Sequence, residues 1–276
     1  MEISKLLEKF DEQMEAVRYA QTTRHNYRSC VTSFLYKFKD ATSPKHISSD
    51  DILKHLLEFK EGNTRKHNHC ALKVFYKRVV HQPFKFRFIP YGKKEKRLPI
   101  IIDQSDVQKL FDVCNNLKHK TIMAVLYGTG VRISELINIK LSDIKRNQKV
   151  ITIIGKGNKE RLVPLNDNLV VLLEKYWREY KTKYWLFEND KTHKQYSKKS
   201  IGEFLNAFKI KSGVTSPVTA HKFRHSHATA LLESGVDIRI IQRELGHENI
   251  KTTTGYTHVS KHIIANINSP LNQISC

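Results

Sequence analysis

The sequence predicts two domains, an all-α N-terminal one and a mainly α C-terminal one that carries a small antiparallel sheet. Three observations predict it. Apolar residues recur at helical spacing through residues 3–80. The stretch PFKFRFIPYGKKEKRLP then breaks that period with three prolines, a glycine and clustered lysines, as a linker does. Further on, KVITII and RLVPL are short β-branched runs joined by GKGNKE, a hairpin signature set among helical segments. With 276 residues the chain is long enough for two ordinary domains. The predicted bounds are 1–85 for the first domain, 86–99 for a basic linker and 100–276 for the second.

In order, Ile3, Leu6, Leu7, Phe10 and Met14 mark a first helix. After TTRHNYRSC, residues Tyr27, Val31, Phe34, Leu35 and Phe38 mark a second. Ser49 and Asp50 are the predicted cap of a third, which carries Ile52, Leu53, Leu56, Leu57 and Phe59 and stops near Gly62. A fourth runs from Thr64 to Val80. The second domain opens with a helix capped by Asp103 or Ser105, followed by the apolar TIMAVLYGTG with its glycines at 128 and 130. A new helix is expected over RISELINIKLSDI, then hairpin strands at 149–154 and 161–165. A helix at 167–181, a strand or edge at YWLFE and a helix at 197–212 follow. Two helices close the pattern, one in TAHKFRHSHATALLESG (core residues Phe223, Ala228, Ala230, Leu231 and Leu232) and one in DIRIIQRELGH ending at Gly246.

Composition limits the function. Lys and Arg number 48 against 27 Asp and Glu, a formal net charge of +21. That excess calls for a polyanionic partner, nucleic acid foremost and a membrane surface second. No run of apolar residues is long enough to span a bilayer, so no membrane insertion is expected. The four cysteines, at 30, 70, 114 and 276, show no CxxC pairing. They suit a reducing, intracellular setting, the first three as buried small hydrophobes. The charge is uneven: from Arg65 to Arg97 there are eleven Lys or Arg and one acid. Arg65, Lys66, Lys73, Lys77 and Arg78 on the fourth helix are therefore candidate DNA contacts, as are Lys93, Lys94, Lys96 and Arg97 in the linker. Thr23, Arg24 and Arg28 add candidates from the second helix.

The candidate chemistry lies in HKFRHSH, which puts His221, Lys222, Arg224, His225 and His227 into seven residues. A zinc site is one reading, but there is no HExxH, no nearby cysteine, and an arginine that would repel a cation. An anion site is the better one. His221 and Arg224 are three residues apart on one helical face near a helix start, where free N–H groups and the dipole favour phosphate. GTGVRISEL adds Arg132 after a glycine turn, with Glu135 one turn later to hold a neighbouring cation. GHENIKTTTGYTH adds His247 at a helix end and Tyr256 nine residues on. GKGNKE lacks the GKS/GKT ending of a phosphate loop, and Ser226 lacks a G-x-S-x-G elbow, so nucleotide binding and serine hydrolysis are set aside.

GTGVRISEL, GKGNKERLVPL, HKFRHSHATALLESGVDIRIIQRELGH and TTTGYTHVS occur in this order over residues 128–259. In these stretches the chain resembles the tyrosine recombinases, the phage-integrase and Xer-like enzymes of DNA strand exchange. The N-terminal region resembles that family's core-binding (SAM-like) domain more loosely, through TTRHNYRSCVTSFLYKF. The resemblance implies the tyrosine recombinase fold and a catalytic set of Arg132, Lys156, His221, Arg224, His247 and Tyr256, with Glu135 in support. Arg132 and Arg224 would clamp the scissile phosphate, and Lys156 would protonate the leaving 5′-oxygen; Lys159 in the same loop is its rival. His221 and His247 would complete the pocket, and Tyr256 would attack to give a 3′-phosphotyrosyl link. Such chemistry needs neither metal nor cofactor, because the ester to tyrosine conserves the bond for religation.

The resemblance further implies double-stranded DNA as partner and a homotetramer on two DNA sites, formed from protomers that are monomers in solution. The tail HVSKHIIANINSPLNQ has two readings, with Ile263, Ile264 and Ile267 docking on their own domain or in a neighbouring subunit. The expected setting is the cytoplasm of a bacterium or archaeon, at the nucleoid, or a virus-encoded enzyme; the lysine and isoleucine content leans toward a mobile element. Two other functions compete: a sequence-specific DNA-binding protein without chemistry, and a type IB-like nicking topoisomerase.

Overall fold

A computed structural model describes residues 1–91, 100–246 (at Lys156 the backbone alone) and 253. The chain divides into two compact units, residues 1–97 and 98–276. In the first, α1 (Ile3–Ala16), α2 (Gln21–Lys37), α3 (Ser49–Leu57) and α4 (Gly62–Phe75) surround one apolar core. Phe10, Met14, Val31, Phe34, Leu35, Ile52, Leu72 and Phe75 are all fully buried there. The α4 axis continues as a π-helical turn, Tyr76–Val80, which ends at His81 in the left-handed region. The cap of α3 is Ser48, one residue before the predicted Ser49 and Asp50: its hydroxyl accepts from the Asp51 N–H while Asp51 accepts from the Ser48 N–H. Although residues 83–91 lose helical periodicity, Phe86 and Ile89 still pack into this core. Lys85 is buried too, its ammonium donating to the carbonyls of Lys45 and Ile47. Cys30 and Cys70 are only half-buried, against expectation, and Cys114 is buried.

The second unit is built on α6 (Leu117–Thr129), which packs against α8 (Asp167–Tyr180) and α10 (Ala220–Glu233). α5 (Gln104–Asp112) lies on α9 (Lys198–Ser212). Strands β1 (Ile144–Lys145), β2 (Val150–Ile154) and β3 (Glu160–Pro164) form an antiparallel sheet in that order, with Ile151 opposite Val163 and Ile153 opposite Arg161. Ile151, Ile153 and Val163 face the core, as period-2 alternation requires.

Two expectations fail for one reason. RISELINIKLSDI yields not one helix but a single α-helical turn, α7 (Ile133–Leu136), and a 3-10 turn, Leu141–Asp143, and YWLFE is no strand but carries isolated bridges, Lys140 to Trp185 and Glu188 to Gln195. The Leu141 N–H bonds the Tyr184 carbonyl and the Leu186 N–H bonds the Ile139 carbonyl, so each segment takes the other's backbone out of regular structure. Within α10, Phe223 and Ala228 are buried as expected, but Ala230 is exposed and Leu231 and Leu232 only half-buried. The last described helix, α11 (Ile238–Leu245), ends at Gly246 in the left-handed region.

Candidate active site

The site begins at a glycine. Gly130 ends α6 with φ +59°, and a Cβ there would stand 2.6 Å from Cδ2 of His227 and 2.8 Å from Leu245. Only glycine fits both the backbone and the space. The turn aims the Gly130 carbonyl at α10 and starts α7 with Arg132 at its N-cap. Arg224, from the middle of α10, is 1% exposed. Its Nη1 donates to the Gly130 carbonyl (2.7 Å) and its Nη2 to the Leu245 carbonyl (2.6 Å). Those two acceptors set the plane of the guanidinium.

Arg132 is half-exposed and reaches the same helix end, donating to the Gly246 carbonyl at 3.3 Å and to Glu135 Oε1 at 2.7 Å. Its own N–H bonds Glu135 Oε2 at 2.9 Å. Burial alone would raise the Glu135 carboxyl, but the hydrogen bonds from Arg161 and Arg132 outweigh it and bring the group below the ordinary carboxylate range. Glu135 is thus an anion at neutral pH with each oxygen on an arginine.

Arg161 has no place in the sequence-predicted site, yet it is joined to it. From β3 it donates to both Glu135 oxygens, Nη1 at 3.1 Å and Nη2 at 2.7 Å, and from Nε to the Glu244 carbonyl at 2.7 Å. Three successive carbonyls at the α11 C-terminus therefore receive arginines: Glu244 from Arg161, Leu245 from Arg224, Gly246 from Arg132. The negative end of the helix dipole and its orphan acceptors explain why cations gather there. The available sequence signal for Arg161 was its phase, two residues before inward-facing Val163.

His221 opens α10 on its exposed side, and its ring meets that of His225 edge-on at 4.2 Å. Its pKa is held below the usual histidine value by burial of part of the ring, then by Arg224, Lys222 and Arg132. The imidazole therefore shares the electrostatic environment of both arginines and stays neutral at pH 7. For His225, burial and then His221, Lys222 and Arg224 bring the value down to about 4. His227 turns inward instead, beside Glu244 at 3.3 Å. Lys156 lies in the turn between β2 and β3, which the Gly155 N–H and Lys159 carbonyl close at 2.8 Å. His247 and Tyr256 lie outside the described residues, as do Ile263, Ile264 and Ile267. Among the described residues no group of three His, Cys, Asp or Glu is placed to hold a metal ion.

Of the candidate DNA contacts, several have partners inside the first unit. Arg28 pairs with Asp11 and donates to the Leu7 carbonyl, and Arg24 lies 3.1 Å from Glu15. Arg65 closes the end of α3 through the Phe59 carbonyl, from Nε at 3.1 Å and Nη2 at 2.9 Å. Lys66 sits over the Tyr91 ring at 4.3 Å. Lys73 and Lys77 are exposed, Thr23 and Arg78 half-exposed. Lys93, Lys94, Lys96 and Arg97 lie outside the described residues.

Residues 101–262 match the model of the phage integrase family, and residues 6–85 match that of the phage integrase N-terminal SAM-like domain. The chain belongs to the phage integrase family, the tyrosine recombinases. It is similar to tyrosine recombinase XerA of Pyrococcus horikoshii, 33% identical over 94% of this chain and 91% of that protein. It is also similar to tyrosine recombinase XerD of Oceanobacillus iheyensis, 31% identical over 88% of this chain and 89% of that one. In fold it resembles XerH recombinase bound to a palindromic difH substrate in a post-cleavage complex, with TM-score 0.75 and 22% identity over 88% of this chain and 79% of that chain. As a member of this family the chain is an enzyme, and its mostly helical units with one small antiparallel sheet are the family's architecture. No helix among the described residues is long and apolar enough to cross a membrane.

Proposed function

We propose that this enzyme is a site-specific recombinase of double-stranded DNA that cuts and rejoins strands through Tyr256. The observation that carries the reading is the convergence of two permanent cations, Arg132 and Arg224, on successive carbonyls at the end of α11, with the imidazole of His221 within their electrostatic reach. In the proposed step the Tyr256 oxygen attacks the scissile phosphorus, the bond from phosphorus to the 5′-oxygen breaks, and a 3′-phosphotyrosyl ester forms. The phenol, with an ordinary pKa of about 10, loses its proton as it attacks, and the imidazole of His221 accepts it. The leaving 5′-oxygen takes one, from Lys156. Arg132 and Arg224 neutralise the equatorial oxygens, a task suited to groups whose charge never titrates away. His221 and His247 complete the pocket. Since bond energy is kept in the ester, reversal with a new 5′-hydroxyl completes exchange.

One such site cuts one strand, so exchange between two duplexes needs four protomers. The reading therefore includes a homotetramer on two DNA sites, assembled on DNA from protomers that are monomers in solution, with the segment after Tyr256 docking in its own domain or a neighbour's. Residues 86–99 are the basic connection between a core-binding domain (1–85), on which Phe86 and Ile89 pack, and the catalytic domain (100–276), and the protein works at the DNA of a prokaryotic cell or a virus. The relatives named tyrosine recombinases favour this over a DNA-binding protein without chemistry or a nicking topoisomerase.

The test is a suicide substrate: nicked duplexes that carry candidate sites from the DNA flanking the gene, incubated with the protein in EDTA. A covalent protein–DNA band on a denaturing gel is expected, and it should vanish in Tyr256→Phe. A band that persists in that variant would remove Tyr256 from the role of nucleophile.

A further inference from the structure

Arg161 stands opposite Ile153 in the sheet and in phase with Val163, on the inner face where an apolar side chain is the norm. Its side chain is 11% exposed. A core-filling role would be met by methionine or leucine. A guanidinium bonded on three sides instead fixes orientation, because its planar fork accepts only one arrangement of partners. Those partners come from separate elements, Glu135 of α7 and the Glu244 carbonyl of α11.

Two glycines close over it. A Cβ on Gly155 would lie 3.4 Å from Arg161 Nη1 and 3.6 Å from Glu135 Oε1. A Cβ on Gly246 would lie 3.3 Å from Arg161 Cδ. Gly155 immediately precedes Lys156, and Gly246 immediately precedes His247. The same Glu135 carboxylate holds Arg132. A single side chain therefore touches the roots of two segments that carry proposed catalytic residues, and it is one anion away from a third.

We propose that Arg161 is a positioning residue for strand cleavage: anchored on Glu135 and on the end of α11, it holds the hairpin so that Lys156 is presented to the leaving oxygen. The inference rests on the reading of Lys156 as general acid, and the experiment is arranged to tell the two apart. Displacement of a catalytic group by about 1 Å costs on the order of a hundredfold in rate. If Arg161 acts by presenting Lys156, its loss matters only while the leaving group needs a proton. A 5′-bridging sulfur leaves as thiolate without one.

The full-length protein and the variants Arg161→Met, Arg161→Lys and Lys156→Ala are compared on a suicide duplex and on the same duplex with 5′-sulfur at the scissile position. DNA affinity and thermal melting are measured in parallel. For Arg161→Met we expect cleavage slowed by about 30- to 100-fold on the oxygen substrate, affinity within about threefold, and recovery by at least about tenfold on the sulfur substrate. Lys156→Ala should recover likewise, and Arg161→Lys should fall between Met and the parent. Arg161→Met cleaving within about threefold of the parent on oxygen overturns the proposal. So does Arg161→Met remaining slow on sulfur while Lys156→Ala recovers. Lys156→Ala slow on both substrates overturns the general-acid reading, and the proposal falls with it. If Arg161→Met shows no melting transition, Arg161→Lys is held to the same criteria.

Discussion

His225 takes up its proton only at unusual acidity, because burial, then His221, Lys222 and Arg224, bring its pKa down to about 4. An unfolded histidine titrates near 6.5. Between those values the unfolded chain holds more protons than the folded one, so stability falls as pH falls through that window. From pH 7.5 to pH 5 this residue should remove about 2 kcal/mol. Urea unfolding of the parent and of His225→Gln at both pH values checks it. The variant should lose about that much less than the parent, and equal losses would reject the burial argument. His55, His69, His119 and His221 are shifted the same way, each with burial as the first cause, so the parent's total fall should exceed that of His225 alone. At this scale the sequence was uneven to read. The Arg132–Glu135 contact follows from a three-residue spacing at a helix start. Arg161 did not stand out, because in a chain with 48 Lys and Arg a strand arginine reads as surface. Its inward phase was visible, but nothing in one sequence says which carboxylate will meet it.

The elements that carry the site are held by helix ends rather than by helix faces. Gly130 and Gly213 both end helices in the left-handed region, with φ +59° and +69°. They differ in surroundings: a Cβ at Gly130 meets His227 and Leu245 below 3 Å, while at Gly213 nothing lies within 4 Å. Gly213→Ala should therefore cost about 1 to 2 kcal/mol, the backbone strain alone. Gly130→Ala should cost at least about 2 kcal/mol more, since His227 packs beside Glu244 and Arg224 bonds the Gly130 carbonyl. Equal denaturation midpoints would show that the close approach carries no energy. Most elements were legible because their apolar period and caps agree, as in α8 and α9. RISELINIKLSDI was misread because after one helical turn Ile139 and Leu141 leave the helix for backbone bonds with Leu186 and Tyr184, some forty-five residues on. Period alone does not reveal so distant a partner.

Across the whole molecule, the net charge of +21 sets how binding answers to salt, but not every basic residue takes part. Counterion release makes log K fall with log salt at about 0.9 per phosphate neutralised. The first unit contains two kinds of cation that sequence treats alike. Arg28 is committed to Asp11 and the Leu7 carbonyl, and Arg65 to the Phe59 carbonyl. Lys73 and Lys77 are one helical turn apart and exposed. If the exposed pair meets phosphate, Lys73→Gln with Lys77→Gln should lower the slope by about 2, with the melting temperature little changed. Arg28→Gln should leave the slope within about 0.5 of the parent and reduce stability instead, since it strands Asp11 and a helix carbonyl. Fluorescence anisotropy on a duplex carrying the site, titrated from 50 to 300 mM salt, separates the two cases. An Arg28→Gln slope lower by about 1, or a double lysine variant with an unchanged slope, would show that internal partners do not sort the basic residues of this unit by their work on DNA.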